Sequence, residues 1–509
     1  MARALAALTP TPGRAAALAA TLVAMVGAVT LNHDLVGVFY DDGLYAGLAI
    51  ALGRGLGYVH PHLPGTPAAV HYPPLYPLVL APLFRVFSVP TAAYLGKVLN
   101  VLLAALGTGL IAWHAARNRL VGEELPVWLA PAVVAGTAIA IPVLATQAVL
   151  FSEPLFAVLL AAAVVLADAP PPRLPASAAA CLAGVAAGLA LLTRSVGIAA
   201  GGGIVVFLLA TRRAPPRVAL AAAAPVALAA GGWALWLLRH RGGIDPALAM
   251  GYGTYVEMAR QAGLGVFWPA TRDLFRPLGD LTLGLIALPA IYYLFAAAAV
   301  VVGGYGGYLL SRRSSVGWTL VFYFLTLLVW PFPSDRFLWG VLPWLALAWA
   351  AGAAALWRHG RLRLPLLVLA TVMGIGYGEI EVRGFAGRWW GSTAHRISAN
   401  FAELLPWLAT LPPQTILAID DEALVWLYTG RTSAPLYVYG YHGRTETRPT
   451  PAEHRAYLER QGVTHVVLTG FGSGSDVELR ALLGAYPRWL TAVHAWPGGR
   501  AAFQARREP

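Results

Sequence analysis

Two adjacent carboxylates, Asp41 and Asp42, follow the first apolar segment of the chain, in the stretch GVFYDDGLYAGLAIALGRGLGY at 37–58. Ionised carboxylates beside a bilayer are costly, so they usually face water, a cation or a reacting group. The alternative is a helix cap, in which Asp41 or Asp42 satisfies amides at the start of the following helix. Both interpretations stay open, because one capping carboxylate can also serve a substrate.

The segment VHYPPLYPLVLAPLF at 70–84 offers a second group of polar side chains. Pro73 and Pro74 favour an extended entry to a helix and place His71 and Tyr72 at its rim. An aromatic anchor at the membrane interface is the simpler interpretation. The functional one makes His71 a donor to an anionic headgroup.

Three further charged residues lie at the ends of apolar segments. Glu153 in LFSEPLF is typical of a helix start, but it could also help to hold a divalent cation. Arg194 in LALLTRSVG and Arg336 in WPFPSDRFLWGVLPWL could extend into lipid headgroups. Arginine also binds phosphate through a planar fork of donors, and the prolines around Arg336 favour a rigid site there.

These residues belong to a chain that is mostly apolar. It has 509 residues, of which 58% are hydrophobic and 12% charged, and its mean hydropathy is +0.64. A soluble protein carries roughly a quarter of its residues as charged ones. The composition therefore predicts a polytopic α-helical membrane protein.

The net charge of +12 comes almost wholly from arginine, since Lys97 is the only lysine. The arginines lie in short loops between apolar segments, which favours membrane topology and anionic lipids over nucleic acid. With a single cysteine, Cys181, the chain cannot form an intramolecular disulfide.

Eleven segments are long and apolar enough to be candidate spans, a count that one or two short or nearly fused segments could change. They are 14–36, 92–113, 126–145, 149–167, 176–193, 196–211, 215–238, 282–310, 316–332, 337–357 and 362–380. The proline-rich 74–88 favours an interfacial helix within a first outer loop at 37–91. With a cytoplasmic N-terminus, the arginine-rich loops all face the cytoplasm, as the positive-inside rule requires.

The chain changes character near residue 385. TILAID and THVVLT favour strands, and DEALVWLYTG, PAEHRAYLERQG and DVELRALLGAYP favour helices between them. We expect a membrane domain at 1–384 and a small extracytoplasmic α/β domain at 385–509. The loop TGFGSGSD at 469–476 lacks the third glycine of a dinucleotide site, so nucleotide binding is not favoured.

The collinear series FYDDGLYAGLA, HYPPLYPLVLAPLF, SEPLF, LALLTRSVG and PSDRFLWGVLPWL resembles the GT-C superfamily of membrane glycosyltransferases. It is most similar to the RgtA/B/C/D-like, or dolichyl-phosphate-mannose-protein mannosyltransferase-like, group, and the resemblance spans roughly residues 14–380. It implies a GT-C-like fold with about eleven spans and a donor in which a sugar is carried on polyprenyl phosphate.

The resemblance also implies roles for particular residues. Asp41 corresponds to the family's catalytic base, and Asp42 replaces the glutamate that usually follows it. The family's phosphate-binding positions fall on Arg336 and His71, with Arg194 a third candidate. Glu153, Tyr72 and Tyr45 are candidates for contact with substrate or a metal, and a divalent cation such as Mg or Mn is an open cofactor.

We therefore expect an inverting transferase in a bacterial inner membrane, acting at the outer face on a glycan, lipid or protein acceptor. Membrane lipids are expected partners and nucleic acid is not. A lipid or solute transporter is the first alternative, but transporters usually carry polar groups near the midplane and show repeated halves. A non-catalytic membrane scaffold is the second.

Overall fold

The structure is a computed structural model that describes residues 11–283, 289–330, 332–442, 445–470 and 474–506. Most of the described chain is helical. The helices are α1 (Pro12–Val29), α2 (Asp41–Gly53), α3 (Leu75–Val86), α4 (Val89–Arg117), α5 (Leu129–Ala138), α6 (Ile141–Ala148), α7 (Glu153–Asp168), α8 (Ala176–Thr193), α9 (Ile198–Val206), α10 (Pro216–His240), α11 (Ala249–Tyr252), α12 (Tyr255–Ala262), α13 (Phe267–Leu283), α14 (Pro289–Ser311), α15 (Ser315–Leu328), α16 (Asp335–Trp339), α17 (Leu342–Trp357), α18 (Arg363–Gly387), α19 (Trp389–Thr410), α20 (Glu422–Thr429), α21 (Pro451–Arg460) and α22 (Gly474–Ala485).

Apolar helices dominate the part before residue 385, as expected of a multi-pass membrane protein. Each of the eleven predicted spans overlaps a helix. Among the described residues, six helical segments are long and apolar enough to cross a membrane, and the pair α5 and α6 would make a seventh. Four shorter apolar helices, 10–17 residues long, include α3, the predicted interfacial helix. The count of eleven spans stays a prediction.

The predicted span at 126–145 is a bent pair of helices. α5 and α6 meet at an angle of 58° across Ile139 and Ala140. Pro142 lies in the first turn of α6, where its missing amide hydrogen costs nothing. A proline at this position cannot donate the backbone hydrogen bond that would continue α5, so the chain starts a new helix in a new direction.

By its internal contacts the chain divides into two units. The first comprises Met1–Leu31, Lys97–Ala234 and Leu264–Gly391. Within it α14 packs closely on α17. A Cβ at Gly306 would lie 1.6 Å from the Ala348 carbonyl oxygen, and one at Gly352 would lie 2.0 Å from that of Val302. Only glycine allows the two backbones this approach.

The second unit comprises Asn32–Gly96, Leu235–Gly263 and Ser392–Pro509. Its centre is a five-stranded sheet in the order β2-β1-β5-β7-β6, with a separate hairpin of β3 and β4. The strands are β1 (Ile416–Ile419), β2 (Thr432–Pro435), β3 (Gly440–His442), β4 (Thr445–Thr447), β5 (His465–Leu468), β6 (Leu490–Trp496) and β7 (Arg500–Ala505).

Pairing in this sheet is mixed. β1 runs parallel to β2 and to β5, while β7 is antiparallel to β5 and to β6. The two predicted strands and three predicted helices of the C-terminal region are all present. The loop TGFGSGSD lies partly outside the described residues.

The predicted first outer loop, 37–91, falls in the same unit as this sheet. Its helices α2 and α3 pack together, and α2 also contacts α20. At the start of the loop Gly37 has φ +101, and a Cβ there would lie 2.5 Å from the Leu424 Cβ. Glycine is required at that approach because an L-residue would meet both strain and a clash. The domain boundary at 384/385 stays a prediction.

Candidate active site

Asp41 is the first residue of α2, and its Oδ1 accepts a hydrogen bond from the Tyr72 hydroxyl at 2.5 Å. Tyr72 is 8% exposed, and its own carbonyl accepts from the Tyr58 hydroxyl at 2.9 Å. Two predicted site residues are therefore in direct contact. A charge-assisted bond of this kind orients a carboxylate more firmly than a neutral one.

The neighbouring Asp42 is 1% exposed and makes different contacts. Its Oδ2 accepts from the Gly37 amide at 2.8 Å and its Oδ1 from the Phe39 amide at 2.9 Å. The capping hypothesis for this pair is therefore modified, because the amides bound here precede α2 instead of belonging to it. These contacts favour a structural role for Asp42, which fixes the turn that presents Asp41.

His71 is buried, and its Nδ1 donates to the Gly253 carbonyl at 2.9 Å. Burial lowers the pKa of His71 from its ordinary value, although the bond to Gly253 and the charge of Asp41 act the other way. In this neutral tautomer Nε2 accepts hydrogen bonds. A phosphate contact through His71 would therefore require the protonated ring.

Tyr45 completes an aromatic cluster beneath Asp41. It is 1% exposed, and its ring centroid lies 4.9 Å from that of Tyr72 and 5.0 Å from that of Tyr76. The His71 ring packs edge-on against Tyr72 at 4.5 Å. Tyr45 thus supports Tyr72 by packing, so the second unit holds Asp41 on a rigid aromatic base.

The first unit brings together the other three predicted residues, Glu153, Arg194 and Arg336. Glu153 begins α7 and is 3% exposed. Its Oε1 lies 2.8 Å from Arg194 Nη1 and 2.5 Å from Arg336 Nε, and its Oε2 accepts from Arg336 Nη2 at 3.3 Å. One buried carboxylate therefore holds two guanidinium groups.

Two aromatic rings fix the guanidinium planes. The Arg336 guanidinium carbon lies 3.5 Å from the Phe151 ring centroid, and that of Arg194 lies 4.7 Å from the Phe337 ring centroid. Phe337 is itself anchored, because its carbonyl accepts from the Tyr323 hydroxyl at 2.6 Å. Phe337 directly follows Arg336 and is the aromatic position of the family's element there, whereas sequence reasoning did not single out Phe151, two residues before Glu153.

All three charged residues occupy helix ends. Glu153 starts α7, Arg194 caps the end of α8, and Arg336 lies in the short α16. Ends of apolar helices are where a chain leaves the hydrocarbon of a bilayer. The cluster is therefore suited to an anion at the membrane boundary.

A divalent cation does not fit at Glu153. Both of its carboxylate oxygens lie against guanidinium groups, which would repel a cation. Across the described residues, no three His, Cys, Asp or Glu side chains are grouped as a metal site requires.

No family model and no curated protein matches the chain. Several solved structures are similar to it. ArnT from Cupriavidus metallidurans, bound to undecaprenyl phosphate, is 16% identical, with a TM-score of 0.48 and coverage of 96% of this chain and 97% of that one. The archaeal oligosaccharyltransferase AglB from Archaeoglobus fulgidus, in complex with an inhibitory peptide and a dolichol-phosphate, is 12% identical, with a TM-score of 0.48 and coverage of 96% and 74%.

The arabinofuranosyltransferase AftD from Mycobacteria is 17% identical, with a TM-score of 0.48 and coverage of 97% of this chain and 40% of that one. Two of these three proteins are named as sugar-transferring enzymes, an oligosaccharyltransferase and an arabinofuranosyltransferase. Scores of this size carry no functional conclusion for this chain, whose function has to be inferred from its own side chains.

Proposed function

We propose that the chain is a membrane glycosyltransferase that moves a sugar from a polyprenyl-phosphate donor to an acceptor at the outer face of the membrane. The observation that carries this proposal is the pair Arg194 and Arg336 held on buried Glu153. Taking charged groups out of water costs free energy, and in a membrane protein a buried ionic cluster is a functional-site hypothesis. Two guanidiniums held together in a fixed orientation match a phosphate that becomes more negative as it leaves.

The donor chemistry agrees with the position of this cluster. A sugar phosphate on a polyprenyl chain has an apolar tail and a charged head, so its head must lie where apolar helices end. Arg336 binds Glu153 through Nε and Nη2, and a guanidinium has a second edge, formed by its two terminal nitrogens, with which it can bind two oxygens of a phosphate. In the proposal Glu153 is a positioning residue that keeps both guanidiniums in one orientation.

Asp41 is the proposed general base. It takes the proton of the acceptor hydroxyl as that oxygen forms a bond to the anomeric carbon. The bond from the anomeric carbon to the donor phosphate breaks, and the phosphate leaves with the electron pair towards Arg194 and Arg336. One displacement of this kind inverts the anomeric configuration. Tyr72 holds the carboxylate ready through its bond to Oδ1.

The experiment is a transfer assay in membranes that contain the chain, with a panel of radiolabelled polyprenyl-phosphate sugars and mass spectrometry of the product. We expect Asp41→Asn and Arg336→Gln to abolish labelled product while the protein still inserts. Glu459→Gln and Arg358→Gln are matched controls, because both side chains are well exposed, and they should retain activity. NMR of the product tests the mechanism, since retained configuration would rule out a single displacement.

The location at a bacterial inner membrane, with a cytoplasmic N-terminus, belongs to the same proposal. It is supported by the arginines of the loops between apolar helices. Fusions of alkaline phosphatase and of green fluorescent protein to the C-terminus test it. The phosphatase fusion should be active and the fluorescent one dark; the reverse pattern would contradict an extracytoplasmic C-terminal domain.

A further inference from the structure

A cavity of about 390 Å³ lies within the second unit, at the carboxyl end of β1. Its size falls in the range of small-molecule sites, roughly 300–1,000 Å³. The polar wall consists of the carboxylates of 420–422 and Glu446, and the aromatic wall consists of four tyrosines, Tyr40, Tyr252, Tyr437 and Tyr439. Among the described lining residues none is positively charged; Arg448 reaches Glu446 with its Nε at 3.2 Å.

The acidic wall is built into the fold. Asp420 accepts from the Thr469 hydroxyl at 2.9 Å and from the Ser475 hydroxyl at 2.6 Å. Glu422 is 2% exposed and accepts from the Tyr252 hydroxyl, which in turn lies 2.8 Å from His62 Nε2. Burial raises the pKa of Glu422 to about 7, so near neutral pH this group is ready to donate as well as to accept.

The aromatic wall reaches the proposed catalytic residue. Tyr40 directly precedes Asp41 and has φ 61, a conformation that non-glycine residues adopt only where the surroundings impose it. A Cβ on Gly251 would lie 2.5 Å from its hydroxyl, and its ring packs edge-on against Tyr252 with centroids 5.8 Å apart. The same short segment therefore forms a wall of the cavity and presents Asp41.

On the other side Tyr437 and Tyr439 stack with ring centroids 5.1 Å apart. Tyrosine faces pack against the C–H faces of sugar rings, and carboxylates accept hydrogen bonds from sugar hydroxyls. A wall of carboxylates with no cation among the described lining residues disfavours phosphates and uronic acids, although burial raises the pKa of both Asp421 and Glu422. The acids are also too dispersed for a cation, since within the described ranges no three of them form a metal-binding group.

We propose that this cavity binds a saccharide unit, neutral or carrying a protonated amine, and that it is the acceptor subsite of the transferase. The cavity itself supports the binding of a sugar. The identification of that sugar as the acceptor rests on the proposed function. An acceptor held here lies against Tyr40 and thus next to the segment that carries Asp41. The negative wall selects against anionic acceptors.

Saturation-transfer NMR on the full chain in nanodiscs tests the proposal. The probes are methyl glucoside, methyl mannoside, methyl arabinofuranoside and glucosamine, with glucuronate and glucose 1-phosphate as anionic counterparts. We expect signals from one or more of the first four and none from the anions. Asp421→Asn and Tyr437→Ala should each weaken binding on the order of tenfold, as loss of one hydrogen bond or one aromatic face does. Glu459→Gln, an exposed carboxylate of α21, should leave it unchanged.

The two proposals fail in different ways. Asp41→Asn should abolish transfer but keep the NMR signals, and signals without any transfer would refute the transferase alone. Transfer activity without sugar signals would refute the subsite. Signals that persist undiminished in folded Asp421→Asn and Tyr437→Ala proteins would refute it as well. Calorimetric saturation by Mg²⁺, Mn²⁺ or Ca²⁺ with no sugar binding would also overturn it.

Discussion

Replacing Glu153 by glutamine tests whether one carboxylate positions both arginines. The side chain of Glu153 is 3% exposed, while those of Arg194 and Arg336 are 10% and 24% exposed. Removing one partner of a buried ion pair costs about 3–5 kcal/mol. Because solvent reaches Arg336, we expect the lower end, about 3 kcal/mol of unfolding free energy.

The kinetic effect should be separate from the loss of stability. In Glu153→Gln one carboxylate oxygen becomes an NH2 donor that faces guanidinium donors, and the negative charge is lost, so both arginine side chains are held less firmly. A charged hydrogen bond to the donor phosphate contributes about 1.5–3 kcal/mol. We therefore expect kcat/KM for the lipid-linked donor to fall about 10- to 100-fold, while the KM for the acceptor stays unchanged.

The assay pairs thermal unfolding in detergent with initial rates at varied donor concentration. A double-mutant cycle with Arg336→Gln should give a coupling free energy of about 1–3 kcal/mol, because both changes remove the same interaction. Glu379→Gln is the matched control: it breaks a 2.8 Å pair with Arg383, whose side chain is 64% exposed, and should cost less than about 0.5 kcal/mol. Unchanged donor kinetics in Glu153→Gln, or additive effects in the cycle, would refute the positioning role.

Three further predictions concern the second unit. Asp42→Ala should destabilise the protein by about 3 kcal/mol in thermal unfolding, because two backbone amides lose their acceptor; a stable variant with activity lost would instead give Asp42 a chemical role. Tyr72→Phe should lower kcat about tenfold and leave donor KM unchanged, since only the orientation of Asp41 is lost; an unaltered kcat would contradict this. Burial raises the pKa of Glu422 from 4.5 to about 7. Between these two pH values the folded state keeps a proton that the unfolded state releases. The resulting contribution to the free energy of unfolding is complete below pH 4.5 and is lost as the pH rises through 7. That loss of unfolding free energy amounts to at most about 3 kcal/mol. Glu422→Gln should therefore flatten the fall in melting temperature between pH 5 and pH 8. An identical fall in the variant and in the unmodified protein would contradict this prediction.

The helices were predictable because apolar length and arginine-rich breaks are local properties of the sequence. The bend between α5 and α6 was not predicted, although Pro142 stands at it. A hydropathy window averages over such a break, because the residues on both sides are apolar. The short strands β1 and β5 were predictable from their β-branched runs, whereas β6 and β7 depend on pairing across the sheet.

The candidate site was predictable in its residue types but only partly in its contacts. Arg194 and Arg336 stood out because positive charge is not expected at outer helix ends, yet nothing local indicated that Glu153 holds both. The acids at 420–422 were noted only as the end of a strand and the start of the helix that follows it. Their signal was positional: they follow β1, which is parallel to both of its neighbours, and ligands collect at the carboxyl ends of such strands.

The contacts of the two aspartates answer the question that their adjacency raises. The Asp42 carboxylate accepts hydrogen bonds from the amides of Gly37 and Phe39, so it stabilises the turn in which Asp41 begins a helix. Asp41 receives one bond from Tyr72, a residue held by buried aromatic neighbours. A general base acts best as a fixed carboxylate on a rigid support. In the proposed mechanism, adjacent acids with separate tasks meet that need, because backbone amides stabilise the carboxylate of Asp42 while Asp41 takes the proton of the acceptor.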